Sequence, residues 1–170
     1  MPQHLYLLRH AEAEPWNPLG NDFSRSLSSN GVQHARLVST WVFETLLPPE
    51  TILCSPAKRT RETLAPILSN WPQLLGSTDY QDSMYNASLN MLLTLAEDAF
   101  SYSGRLLLVG HNPGIAEMLI NVLQTTQAGS IKSFGTGTLA IVEFPDHFKR
   151  QTRTGNLRHL VRQDDFSVDS

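Results

Sequence analysis

The residues best able to do chemistry in this sequence stand at the ends of short apolar runs. Arg9 and His10 follow LYLL at residues 5–8. Arg59 lies in SPAKR, directly behind the run TILC. His111 follows RLLLVG. Brought together, two guanidiniums and two imidazoles with no paired carboxylates make a site for an anion. Arginine forks match the oxygens of a phosphoryl group and keep their charge at any physiological pH. One imidazole, neutral, could attack phosphorus. The other, protonated, could stabilise charge on the equatorial oxygens. The neighbouring arginines would help to keep the nucleophile unprotonated, since like charges lower its proton affinity.

Residues so far apart meet only if the elements between them place them. The run at residues 5–8 reads as a buried strand with the polar pair at its C-terminal end. Residues 11–27, with two prolines and a glycine, read as a loop. Ser28 or Ser29 caps the next helix, where Val32, Ala35, Val38, Val42 and Leu46 recur at helical spacing until Pro48-Pro49 stops it. Residues 51–55 form a second strand. A helix opened by Pro56 at a first-turn position follows it, and Pro66 is expected to kink or shorten that helix. Residues 70–87 carry no clear signal. Leu89–Phe100 is expected to be helical. Arg105–Gly110 is the clearest buried strand, and it leads through HNPG into a helix with Ile115, Met118, Leu119, Val122 and Leu123 on one face. Residues 138–144 and 157–161 are further strands, and the tail QDDFSVDS is expected to fray. Alternating strands and helices imply an α/β fold: a three-layer sandwich with a mostly parallel central sheet and helices on both faces. Ligands of such sheets bind outside the carboxyl ends of the strands, which is where all three polar clusters would lie. Helices starting near Pro56 and Gly114 could add backbone donors for an anion.

Composition sets the outer bounds. The chain has 170 residues, 41% of them hydrophobic and 17% charged, with a formal net charge of -3. That suits one domain over residues 1–170, with a core over about 4–162. It also argues against nucleic acid as a partner, because phosphate-backbone affinity needs a basic excess. No apolar run is long enough for a membrane span or a signal peptide, so a soluble, cytoplasmic protein is expected. The single cysteine, Cys54, reads as a core filler. Trp41, at helical spacing, reads as core. His4, His34, His147 and His159 lack supporting context and read as surface or structural.

The segments LLRHAEAE, SPAKRTRETL and LLLVGHNPG, in that order, resemble the histidine phosphatase superfamily, also called phosphoglycerate-mutase-like. Its hallmarks are a strand ending in Arg-His-Gly, a Ser-Pro-x-x-Arg segment with a Thr a few residues on, and a late Gly-His or Ser-His. The resemblance spans residues 5–142. DFSRSLSSNGVQHA, the stretch FGTGTLAIVEF and the short length are similar to the small bacterial phosphohistidine phosphatases. What the resemblance implies is a phosphoglycerate-mutase-like fold with His10 as the phosphorylated nucleophile. Arg9 and Arg59 would hold the phosphoryl oxygens, and His111 would complete the pocket. Arg61, two positions past the motif arginine, reads as solvated.

Ala11 stands where many members have Gly, and Trp16 where larger members often carry an Asn, with Asn17 one position later. Larger members also use a carboxylic acid to protonate the leaving group. Asp82 is the candidate here, with Glu12 and Glu14 as other options, and the phosphohistidine subgroup often lacks that acid. The expected function is therefore metal-independent, cofactor-free hydrolysis of phosphohistidine in a signalling or phosphotransfer protein. A phosphomonoesterase acting on small-molecule or sugar phosphates is the alternative, and a non-catalytic phosphate-binding module is the second. Inorganic phosphate and other oxyanions are expected ligands. A metal hydrolase would need ligand sets such as H-E-x-x-H or H-x-H-x-D, which the sequence lacks. A mutase would need a larger, more enclosed site than so short a chain provides.

Overall fold

A computed structural model describes residues 1–166. Its centre is a six-stranded sheet: β1 (Gln3–Arg9), β2 (Thr51–Cys54), β3 (Thr78–Tyr80), β4 (Arg105–Gly110), β5 (Leu139–Phe144) and β6 (Asn156–Val161), in the order β3-β2-β4-β1-β5-β6. The pairs β3/β2, β2/β4 and β4/β1 are parallel, and β1/β5 and β5/β6 are antiparallel. The sheet is thus mostly parallel, with an antiparallel hairpin added at one edge.

Both faces of the sheet are covered, and β1 explains how. Its side chains alternate between faces with period two. Leu5 and Leu7 enter a core with Leu106 and Leu108 of β4, Leu92, Leu93 and Ala96 of α3 (Leu89–Phe100), and Ile115, Met118 and Leu119 of α4 (Gly114–Val122). Tyr6 and Leu8 enter the opposite core, with Val38 and Val42 of α1 (Ser29–Thr45) and Leu64, Ile67 and Leu68 of α2 (Lys58–Asn70). A strand buried on both faces reads as a continuous apolar run, hence LYLL and LLLV.

Local signals set the helix ends. The Ser28 hydroxyl caps α1, accepting the Gly31 N–H at 3.0 Å. Gly31 itself answers a close approach: a Cβ there would lie 1.9 Å from the Glu12 carbonyl oxygen. Pro66 neither ends nor shortens α2, which runs on to Asn70. The helix is held past the proline because Ile67 and Leu68 are buried against the sheet, and this tertiary burial outweighs the lost backbone hydrogen bond. The segment without a sequence signal holds the edge strand β3, the 3₁₀ turn Pro72–Ser77 before it and a second turn, Asp82–Met84. Strands of three residues are too short to show a period. Of the expected frayed tail, Gln163–Phe166 forms a 3₁₀ turn with Phe166 edge-on to His34, and residues 167–170 lie outside the described residues. Trp41 is half-buried against the sheet, with His159 on its edge, and His34 is buried.

Candidate active site

Strand order decides where the site lies. β2, β4 and β1 are adjacent and parallel, so Ser55, Gly110-His111 and Arg9-His10 leave the same edge of the sheet side by side. The strand ends are stitched together by backbone bonds, His10 N–H to the Gly110 carbonyl (3.1 Å) and Ser55 N–H to the Val109 carbonyl (3.0 Å). The connection into β5 arrives at this edge as well. There the Gly137 N–H donates to the His10 carbonyl at 2.8 Å. Gly137 has φ +68°, and a Cβ on it would lie 2.6 Å from the His34 ring. Glycine is therefore required for the backbone to reach His10.

His10 is 7% exposed and His111 4%, with ring centroids 5.3 Å apart. His10 Nδ1 donates to the Ala11 carbonyl at 2.7 Å. That bond fixes the tautomer and leaves Nε2 with the free lone pair. Ala11, in the place of glycine, is fully buried, and its N–H is received by the Thr63 hydroxyl at 3.0 Å. Thr63 in turn donates to the Arg59 carbonyl, so α2 holds the residue after His10 from beneath.

Arg9 donates through Nη1 to the Phe134 carbonyl at 3.1 Å. Arg59, whose side chain is 4% exposed, donates to the Asp22 carbonyl (2.8 Å), to Asp22 Oδ2 (3.1 Å) and to His111 Nδ1 (3.2 Å). Since a guanidinium can only donate, His111 Nδ1 accepts, and His111 Nε2 donates to the Ser55 hydroxyl at 2.8 Å. The Nε–H groups of Arg9, Arg25 and Arg59 are buried without partners in the protein. Buried donors of this kind are costly unless something accepts from them.

The histidines do not divide as the sequence suggests. Burial above all, then the charges of Arg59, Arg9 and Arg25, pull His10 down to about 4. Burial, then Arg59 and His10, pull His111 down to about 3. Both rings are neutral in the free protein. A cationic His111 requires a dianion to draw Arg59 off Nδ1 and supply the compensating charge.

Sequence reasoning places His10, His111, Arg9 and Arg59 at one strand edge, and the structure brings them together there. It adds three residues that were not assigned to the site. Asp22 accepts from Arg59, from Arg25 (3.0 Å) and from the Tyr85 hydroxyl (2.5 Å). These partners, Tyr85 first, hold its carboxyl below the usual range despite partial burial. Arg25 lies close enough to lower the His10 pKa. Tyr85 packs edge-on against His111. Asp22 and Arg25 stand in the segment DFSRSLSSNG, so a signal existed. Tyr85, in the segment without signal, had none. Asp82 is exposed, and among the described residues its side chain makes no hydrogen bond. Arg61 is exposed and lies over the Tyr80 ring.

Such a pocket should be stabilised by oxyanions. Phosphate, vanadate or tungstate at ~100 times Kd should raise the melting temperature by about 5–10 °C. Arg59→Ala should remove most of that shift, measured against its own ligand-free melting point. An unchanged shift would place the anion elsewhere.

Comparison with known proteins gives a consistent picture. Residues 5–79 match the model of the histidine phosphatase superfamily (branch 1). An uncharacterized protein of Mycobacterium tuberculosis is 26% identical over 147 residues, covering 83% of this chain and 89% of that protein. A structure from Agrobacterium tumefaciens, assigned as the phosphohistidine phosphatase SixA, is 27% identical with TM-score 0.83, covering 95% of this chain and 99% of the other. The protein histidine phosphatase SixA complexed with tungstate shares the fold at 17% identity and TM-score 0.79, covering 97% of this chain and all of that one.

Proposed function

Because this chain belongs to the histidine phosphatase superfamily, we propose that it is a metal-independent phosphatase working through a phosphohistidine intermediate on His10, with phosphohistidine in a signalling or phosphotransfer protein as its substrate. The observation that carries this reading is the fixed tautomer of His10: Nδ1 is committed to the Ala11 carbonyl, so the lone pair on Nε2 is the one available for attack. The name of the Agrobacterium relative points to the same substrate class.

In the first step Nε2 attacks phosphorus. A bond forms between His10 and the phosphoryl group, the bond to the leaving nitrogen breaks, and that nitrogen departs with a proton. In the second step water attacks the phosphoryl group on His10, the P–N bond breaks, and inorganic phosphate leaves. Arg9 and Arg59 bind the oxygens whose charge develops in each transition state. Their guanidiniums supply positive charge of the kind a metal brings elsewhere, which supports catalysis without one. A single buried thiol, Cys54, suits the reducing cytoplasm.

The test is turnover of a phosphohistidine protein beside a panel of phosphate esters and sugar phosphates, before and after extensive EDTA treatment. Hydrolysis of the phosphohistidine protein, undiminished by EDTA, is expected. Activity confined to esters would make the protein a phosphomonoesterase. Loss on chelation with recovery by one dication would overturn metal independence.

A further inference from the structure

The loop over residues 14–26 presents three large apolar side chains within eight residues: Trp16 is 66% exposed, Leu19 95% and Phe23 39%. It is a built loop. Its base is closed by the Ala13/Leu27 bridge and by Glu14 N–H to the Ser26 carbonyl at 2.8 Å. Within it, Asn17 Oδ1 accepts from the Leu19 N–H and Asn21 Oδ1 from the Phe23 N–H, both at 2.9 Å, and Arg25 reaches back to the Glu14 carbonyl at 3.2 Å. Single exposed apolar residues are ordinary, but a cluster beside a charged pocket marks an interaction surface.

The cluster adjoins the phosphoryl pocket through Asp22, which accepts from Arg59, and through Tyr85. Trp16 lines a cavity of about 350 Å³ together with Asp22 and Arg25. Phe23 packs edge-on against Tyr85 at 5.3 Å, and Tyr85 against His111 at 5.4 Å. Large exposed apolar side chains beside charged groups are the composition of a protein-binding hot spot. A histidine side chain is short, so a folded protein that sets its phosphorus on His10 must bring its own surface against the pocket mouth.

We infer that the 14–26 loop, through Trp16 and Leu19, is the docking surface for the folded protein that carries the phosphohistidine. This rests on the proposed function. The test uses the double variant Trp16→Ala/Leu19→Ser, whose two side chains are exposed and lie outside the catalytic set. Two substrates are compared: a folded phosphotransfer domain carrying phosphohistidine, and phosphoramidate, which has the P–N bond without the protein. The variant should lose at least ~10-fold in kcat/KM on the domain, through KM, and nothing on phosphoramidate. Equal losses on both substrates would make the loop part of the catalytic scaffold and overturn the inference, as would unchanged turnover of the domain. If the wild type itself hydrolyses phosphoramidate but no phosphohistidine protein, the proposed function fails at that earlier step and takes this inference with it.

Discussion

His10→Ala should abolish turnover, by roughly 10⁴- to 10⁶-fold, the scale on which removing a covalent nucleophile acts. The ring is buried at a strand end, so the fold should survive its truncation, and the variant should still gain stability from vanadate through Arg9 and Arg59. Quenching the wild-type reaction without acid should trap a phosphoryl group that is acid-labile and base-stable, and the variant should trap none. The protonation state adds a second signature. Attack needs the neutral ring, and burial with three nearby arginines pulls His10 down to about 4. Its contribution to kcat/KM should therefore be constant from pH 5.5 upward. It should fall as pH drops through about 4, once the substrate's own titration is divided out. A limb near pH 6.5 would mean that the nucleophile is not in this environment, and a fully active His10→Ala would remove it from the mechanism.

Alkyl phosphates should be hydrolysed ~100- to 10,000-fold more slowly than phosphohistidine or other phosphoryl compounds with good leaving groups, because that is the worth of a placed general acid. An alkoxide must receive a proton as it departs, whereas an imidazole leaves readily and takes its proton from solvent. The carboxyl bonded into the pocket is not free to offer that proton at neutral pH. Asp22 sits at the pocket, but Tyr85 and Arg59 hold it ionised. Asp82 is exposed and outside the bonded network. Burial and the neighbouring carboxylate raise the Tyr85 hydroxyl, the carboxylate's hydrogen bond first. The measurement compares wild type, Asp82→Asn and Asp22→Asn on an alkyl phosphate and on a phosphohistidine protein. Should the wild type handle the alkyl ester well and Asp82→Asn lose only that activity, Asp82 is the acid and the preference for P–N bonds is abandoned.

Much of this protein could be read from its residues because its signals are local. LYLL and RLLLVG are apolar without a break, as strands covered on both faces must be, and the helical stripe Ile115, Met118, Leu119, Val122 lies buried as its spacing implies. Pro66 shows where a local rule yields: two buried side chains beyond it keep the helix going. The edge strand β3 escaped because three residues with one face on solvent carry no period.

The residues that end the three central strands are legible in the chain alone, since apolar runs with polar termini need no partner to be recognised. How those ends are bonded follows from folding. Asp22 and Tyr85 are 63 residues apart, and no pattern along the chain announces that they share a proton-bearing contact beside Arg59. The same holds for His111. Its cationic form looked natural from residue type alone, yet the fold buries it and aims Arg59 at its Nδ1. Charge state depends on the distance to other charges and to water, and folding sets both.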